Sequence, residues 1–246
     1  MKADPKVQLR LLVLQGHDAA LARLEHRRRT LPELTAISTA DARLAQLRDS
    51  LVRVETEVGD LDRELRRLEG DVDQVRRRSE RDQQRMQSGA VPAKELESLQ
   101  HEVESLARRQ SDLEDVQLEL MEKREEAESR AGAIRAEVAT VTAERQAAVD
   151  ARDAAYTEID AEAAADAGAR ASLATELPAD LLALYEKLRV ASGGVGAAEL
   201  RQRRCEGCRL EMFGAELRAI RAAAPDEVLR CENCRRILVR TAESGL

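Results

Sequence analysis

Between Ile37 and Val75 the apolar residues Ile37, Ala40, Leu44, Leu47, Leu51, Val54, Val58, Leu61, Leu65, Leu68, Val72 and Val75 recur at alternating spacings of three and four. A stripe of that period stays covered only when its helix supercoils left-handedly against a second one. The second stripe follows: Leu96, Leu99, Val103, Leu106, Leu113, Leu120, Ala127, Ala131, Ile134, Val138, Val141, Ala148, Ala155 and Ile159, interrupted by polar Gln110, Gln117 and Arg145. Between the two lies Ser88-Gly89-Ala90-Val91-Pro92, with Gly suited to the residue just past a helix end and Pro to the first turn of the next. About 80 residues flank this tip on each side, so the pattern predicts an antiparallel coiled-coil hairpin within one chain, on the order of 100 Å long.

Two breaks are predicted. Thr30-Leu31-Pro32-Glu33 reads as a capping box, and Val7, Leu11, Leu14, Leu21 and Leu24 before it run in a different phase from the seam after it. The chain is therefore expected to break near residues 30–33, its first piece packing on the Ala-rich stretch Ala163 to Ala174. After Leu177-Pro178, a short helix from Asp180 to Val190 carries Leu181, Leu182, Leu184, Tyr185 and Leu188, and Ser192-Gly193-Gly194-Val195-Gly196 reads as a hinge. No Gly-Lys-Ser/Thr follows that run, as a phosphate-binding loop would require.

Composition fits long helices: the chain is rich in Ala, Leu, Glu and Arg, and Tyr156, Tyr185 and Phe213 are its only aromatic residues. It has no apolar run long enough to span a membrane and no apolar signal core at its start, which places it in the cytoplasm. Net charge is −7, and residues 200–246, with ten Arg and seven acidic residues, oppose the trend at +3. An acidic helical surface repels nucleic acid, so phosphate contact is expected at the C-terminal end if anywhere.

The four cysteines form two Cys-x-x-Cys pairs, Cys205-Glu206-Gly207-Cys208 and Cys231-Glu232-Asn233-Cys234, separated by 22 residues. Two thiolates two residues apart converge across a tight knuckle, for which Gly207 and Asn233 offer left-handed backbone, and two knuckles complete a tetrahedron. Zinc suits four thiolates, although iron fits the same cage. A closed four-sulfur shell makes the zinc structural, and His17, His26 and His101 all lie in the helical arms as solvated surface residues. Val228-Leu229-Arg230 and Ile237-Leu238-Val239-Arg240 read as ribbon strands, and Glu211 to Ala223 as a short helix between the pairs. A domain this small is expected to unfold without its metal.

These features define a mainly α chain: a helical hairpin over residues 1–174, a short helix and Gly-rich hinge over 175–199, and a four-cysteine zinc ribbon over 200–246. The segments Pro178-Ala179-Asp180-Leu181-Leu182, Tyr185-Glu186-Lys187-Leu188-Arg189, Cys205-Glu206-Gly207-Cys208 and Cys231 to Arg240 resemble the bacterial family of coiled-coil proteins with a C-terminal four-cysteine zinc ribbon. Lys94-Glu95-Leu96 near the tip is similar too. The resemblance implies one zinc, and some relatives assist flagellar gene expression by binding a transcript or an alternative sigma factor. One departure is Arg235 after Cys234, where that family often has Gly.

Two non-enzymatic functions follow. In the first, Arg203, Arg204, Arg209, Arg230, Arg235, Arg236 and Arg240 beside the knuckles touch RNA or DNA phosphates. In the second, a monomeric adaptor presents hairpin and ribbon to a protein such as a transcription factor or a sigma-factor-like partner, with no nucleic-acid or membrane contact.

Overall fold

The computed structural model describes residues 1–89 and 91–246. Five helices and four strands follow in the order α1 (Pro5–Arg29), α2 (Pro32–Gln87), α3 (Ala93–Thr175), α4 (Ala179–Ala191), β1 (Ala197–Arg201), β2 (Arg204–Cys205), α5 (Gly214–Ala222), β3 (Leu229–Arg230) and β4 (Ile237–Arg240). Among the described residues, no helix is long and apolar enough to cross a membrane.

The chain divides into two compact units, Thr35–Val149 and Met1–Leu34 with Asp150–Leu246. Within the first, every seam residue predicted there is buried or half-buried, and so are the polar intruders Gln110, Gln117 and Arg145. Leu65, Leu68, Leu113 and Leu120 form its fullest cluster. Ion pairs bind the arms in antiparallel register: Arg43 to Glu137, Asp41 to Arg145 (2.6 Å), Glu57 to Arg130 (2.7 Å) and Arg85 to Glu95 (2.8 Å). At the predicted tip, Gly89 has φ +69°, the left-handed turn that ends α2, while Ala90 lies outside the described residues.

The break near Pro32 is present, but not as a capping box. The Thr30 hydroxyl and backbone N–H both donate to His26 O, so Thr30 closes α1, and α2 starts at Pro32 without it. In the second unit, α1 packs on the end of α3 through Leu24, Leu31 and Ile159, with half-buried Ala163 beside them. His17 is half-buried rather than solvated, its Nδ1 2.7 Å from Asp166 Oδ1.

The C-terminal strands form one sheet in the order β2-β1-β4-β3, in which β1 runs parallel to β4 and the other pairs are antiparallel. One of its two central strands, β1, was not foreseen, because Ala197-Ala198-Glu199-Leu200 has little β-branched or aromatic character. Side chains alternate faces along each strand, and both faces are covered. Ala197, Ile237 and Val239 join Ala3, Leu11, Leu14, Leu181, Tyr185 and Leu188, whereas Ala198, Leu200 and Leu238 join Met212, Ile220, Cys205 and Cys231. The sheet thus lies between α1 and α4 on one side and the cysteines and α5 on the other.

The chain start is part of this arrangement. Ala3 N–H donates to Asp226 O (2.7 Å) and Val228 N–H to Met1 O (3.1 Å), while buried Gln8 donates through Nε2 to Ala3 O. The glycine run expected as a hinge is held by two side chains, Gln15 and Arg236. Gln15 Oε1 accepts from Gly196 N–H (2.7 Å), Gln15 Nε2 donates to Gly194 O (3.0 Å), and Arg236 donates to Ser192 O and Val195 O. Gly196 sits so close to Tyr185 that a Cβ there would lie 2.6 Å from Tyr185 O.

Candidate metal centre and the arginines around it

The two knuckles repeat one hydrogen-bond pattern. Cys205 N–H donates to Leu210 O and Arg209 N–H to Cys205 O; twenty-six residues later Cys231 N–H donates to Arg236 O and Arg235 N–H to Cys231 O. Closing these loops requires left-handed backbone one residue after the second cysteine, at Arg209 (φ +60°) and Arg235 (φ +64°). Gly207 and Asn233, expected to supply it, do not have positive φ. Gly207 is needed for room instead, since a Cβ there would lie 2.8 Å from Arg236 Cδ and 2.9 Å from Ala198 Cβ.

All four Sγ atoms lie within 4.8 Å of one another, and Cys205–Cys234 and Cys208–Cys231 are both 3.8 Å apart. Four sulfurs about 2.3 Å from a tetrahedral zinc stand about 3.8 Å from each other, the spacing these two pairs show, so the cluster could hold one zinc ion. Cys205 and Cys231 are fully buried, and burial pushes both thiols up from their ordinary range. At Cys234 burial acts the same way but is outweighed by hydrogen bonds, first from the Arg236 backbone and then from its side chain, leaving it lowered to about 7. Four sulfurs so placed would close the coordination shell of one ion, and among the described residues no carboxylate or imidazole shares the cluster.

The seven arginines named from the sequence separate into two groups. Arg236 donates to Val195 O (3.0 Å), Gly207 O (3.2 Å) and Ser192 O (2.7 Å), tying the glycine run to the first knuckle. Arg240 donates to Ala223 O (2.9 Å), Ala224 O (2.5 Å) and Pro225 O (3.1 Å) after α5. In both, guanidinium N–H groups expected at phosphates are engaged by backbone carbonyls. Arg203, Arg204, Arg209 and Arg235 are exposed, and among the described residues none of their side chains makes a hydrogen bond or ion pair. Arg230 is exposed as well and donates only Nε, to Arg235 O.

The model of the CT398-like coiled coil hairpin domain matches residues 14–193, and that of the C4-type zinc ribbon domain matches 204–238. The chain belongs to the CT398-like hairpin family. An uncharacterized protein of Mycobacterium tuberculosis is 40% identical over 240 residues, covering 98% of each chain, and one of Mycobacterium leprae is 34% identical over 216 residues, covering 87% of this chain and 91% of that one. A solved structure from Mycobacterium smegmatis has 39% identity and a TM-score of 0.87, over 98% of this chain and 100% of that one. The structure of CT398 from Chlamydia trachomatis shares the fold at 17% identity, with a TM-score of 0.69 over 96% and 98% of the two chains.

The CT398-like chain also holds a buried polar cluster that sequence reasoning missed. Asp18, its side chain 5% exposed, accepts from Tyr185 Oη (2.6 Å) and Arg170 Nε (2.7 Å) and stands 3.7 Å from Arg189 Nε. Glu186 pairs with both arginines. Burial, then the Asp18 hydrogen bond, raises the Tyr185 hydroxyl well above its ordinary range, keeping it a donor. The signal was present in the spacing: Gln8, Leu11, Leu14 and Asp18 share the buried stripe of α1, so two polar residues stand at seam positions.

Proposed function

We propose that this protein is a non-enzymatic binder in which one structural zinc, held by Cys205, Cys208, Cys231 and Cys234, fixes a rigid arginine face that contacts nucleic-acid phosphates. The observation that carries this reading is the backbone under three of those arginines. Arg203, Arg209 and Arg235 have φ between +60° and +64°, where Gly costs least and other residues lose roughly 1–2 kcal/mol each. Strained residues of this kind cluster at functional sites. Each here points a long cationic side chain into solvent with no internal partner. Arg204 and Arg230, on the two edge strands of the sheet, add two further exposed guanidiniums, and the zinc serves as the clamp that holds the turns.

One chain with one zinc acts in the cytoplasm on this reading, beside a transcript or the transcription machinery. Binding of a labelled RNA or DNA oligonucleotide, followed by anisotropy across a salt series, tests it. Affinity should fall steeply with salt, and Arg209→Ala with Arg235→Ala should flatten the log–log slope by about 0.7–0.9 per lost phosphate. No binding at low ionic strength, where such contacts are strongest, would overturn the reading and leave the adaptor role in its place.

A further inference from the structure

At the turn between β1 and β2 the cleft lined by Arg201, Arg203, Arg204, Glu206 and Glu211 has a volume of about 480 Å³, within the usual range for small-ligand sites of about 300–1,000 Å³. The turn itself is Gln202-Arg203, and both residues have positive φ, +46° and +64°. A two-residue hairpin of this hand normally uses Asn-Gly. Here the C-terminal tail holds the less suited pair: Gln202 N–H donates to Glu243 O (2.7 Å), Arg203 N–H to Ser244 O (2.8 Å), and the buried Ser244 hydroxyl to Leu200 O (2.9 Å). The side chains are aimed by backbone fixed on both sides.

Charge on the cleft wall is arranged unusually for this chain. Elsewhere arginines and carboxylates are paired repeatedly along the helices, and at the rim Arg201 pairs with Glu243 (2.7 Å). Arg204 and Glu211 lie directly opposite in an antiparallel bridge, yet they form no ion pair. Arg203 and Glu206 are likewise unpaired, so two guanidiniums and two carboxylates face one cleft with their hydrogen-bonding capacity unspent. Phosphate contact at Arg203 and Arg204 leaves the two carboxylates beside them unexplained, because they repel phosphate. A ligand that offers donors to one and acceptors to the other fits the set.

We propose that this cleft reads one unpaired guanine base of a bound nucleic-acid strand. Guanine presents two adjacent donors, N1–H and the N2 amino group, on its Watson–Crick edge, matching a carboxylate. Its O6 and N7 form an acceptor pair that matches a guanidinium. Cytosine lacks the donor pair, and adenine and uracil lack both pairs. Phe213 follows Met212, whose N–H donates to Arg203 O, and is 68% exposed, offering a ring face on which a neighbouring base stacks. An unpaired strand is required, because both guanine edges are read together and one of them is occupied in a duplex.

The inference rests on the phosphate-binding reading, and the test separates the two. Zinc-loaded full-length protein is titrated against labelled uridine oligonucleotides of about ten residues, identical except for a central guanosine, adenosine, cytidine or uridine. The guanosine oligonucleotide should bind at least about tenfold more tightly than the others. Glu206→Gln with Glu211→Gln should abolish that preference while strengthening binding of the all-uridine strand, because two charges that repel phosphate are gone. Equal affinity for all four strands, or a preference that survives the double substitution with zinc content and helical circular dichroism unchanged, overturns the guanine site and leaves phosphate binding intact. No binding of any strand overturns both.

Discussion

The two compact units solve the same problem, covering apolar side chains in a chain almost without aromatic residues, by opposite means. In Thr35–Val149 each turn of one helix meets only the neighbouring turn of the other. Its buried residues, such as Leu44, Leu65, Leu113 and Val141, are strung along the two arms, and ion pairs beside them stay exposed. In the other unit the core draws on segments from both ends of the chain, with Ala3, Leu14, Tyr185 and Val239 in one cluster and charged Asp18 buried beside it. A seam of nearest neighbours needs only periodicity, whereas a shared core needs each distant segment to be in place. Damage should therefore stay local in the first unit and spread in the second.

Metal removal should show the largest difference. Zinc contributes on the order of 10–16 kcal/mol in small four-ligand domains, and here it would hold the face of the sheet that carries Leu200, Cys205, Met212, Ile220 and Leu238. Purified protein should contain one zinc, and chelation or Cys231→Ser should remove it. Because β1 and β4 also cover the α1 and α4 side through Ala197, Ile237 and Val239, amide exchange should rise in Met1–Ala3 and α4 as well as in the ribbon. The seam between Thr35 and Val149 should keep its protection and most of the helical circular dichroism. Loss of that protection on chelation would break the distinction between the units.

Next in size is the contrast between buried and exposed ion pairs. Asp18→Ala removes the acceptor of both Tyr185 Oη and Arg170 and leaves Arg189 without it, a loss of about 3–5 kcal/mol for a broken buried pair. Glu57→Ala breaks the exposed Arg130 pair, worth about 0–1 kcal/mol. Urea titration should place the two variants on opposite sides of about 2 kcal/mol. Equal effects would mean that the Asp18 cluster is solvated in solution.

Leu14→Ala and Leu113→Ala sharpen the comparison with apolar residues alone. Leu14 is fully buried in the shared core, while Leu113 is 6% exposed in the seam. Both fall within about 2–5 kcal/mol, with Leu113 near the lower end, because two helices collapse around a gap more readily than a core closed on all sides. Thermal melts of the two variants check the order.

This contrast also explains what the sequence makes legible. The seam, both breaks and the cysteine pairs are local patterns, and each reports itself through spacing within a few residues. β1 does not, since Ala197-Ala198-Glu199-Leu200 becomes a strand only by lying parallel to Ile237–Arg240, some forty residues away. The roles of Arg236 and Arg240 are hidden for the same reason. Beside a cysteine pair they look identical to Arg235, and only the folded chain shows that nearby carbonyls occupy two of the three. Asp18 is the intermediate case, visible as a charge on an apolar stripe although its partners on α3 and α4 are not.

The smallest predicted effect separates stability from binding at the knuckles. Arg209 and Arg235 occupy equivalent left-handed positions in two turns with the same hydrogen bonds. Replacing either by Gly removes a backbone cost of roughly 1–2 kcal/mol, of which about 0.5–1 kcal/mol is lost again to the greater freedom of Gly in the unfolded chain. Each variant should therefore gain about 0.5–1 kcal/mol, raise the chelator concentration needed to strip the metal, and lose one phosphate contact from the salt slope. A gain in stability together with a loss of binding identifies arginines kept at a structural cost for what they touch. If both variants are more stable and bind nucleic acid as before, neither arginine contributes to the face, and the phosphate contacts must come from Arg203, Arg204 and Arg230 alone.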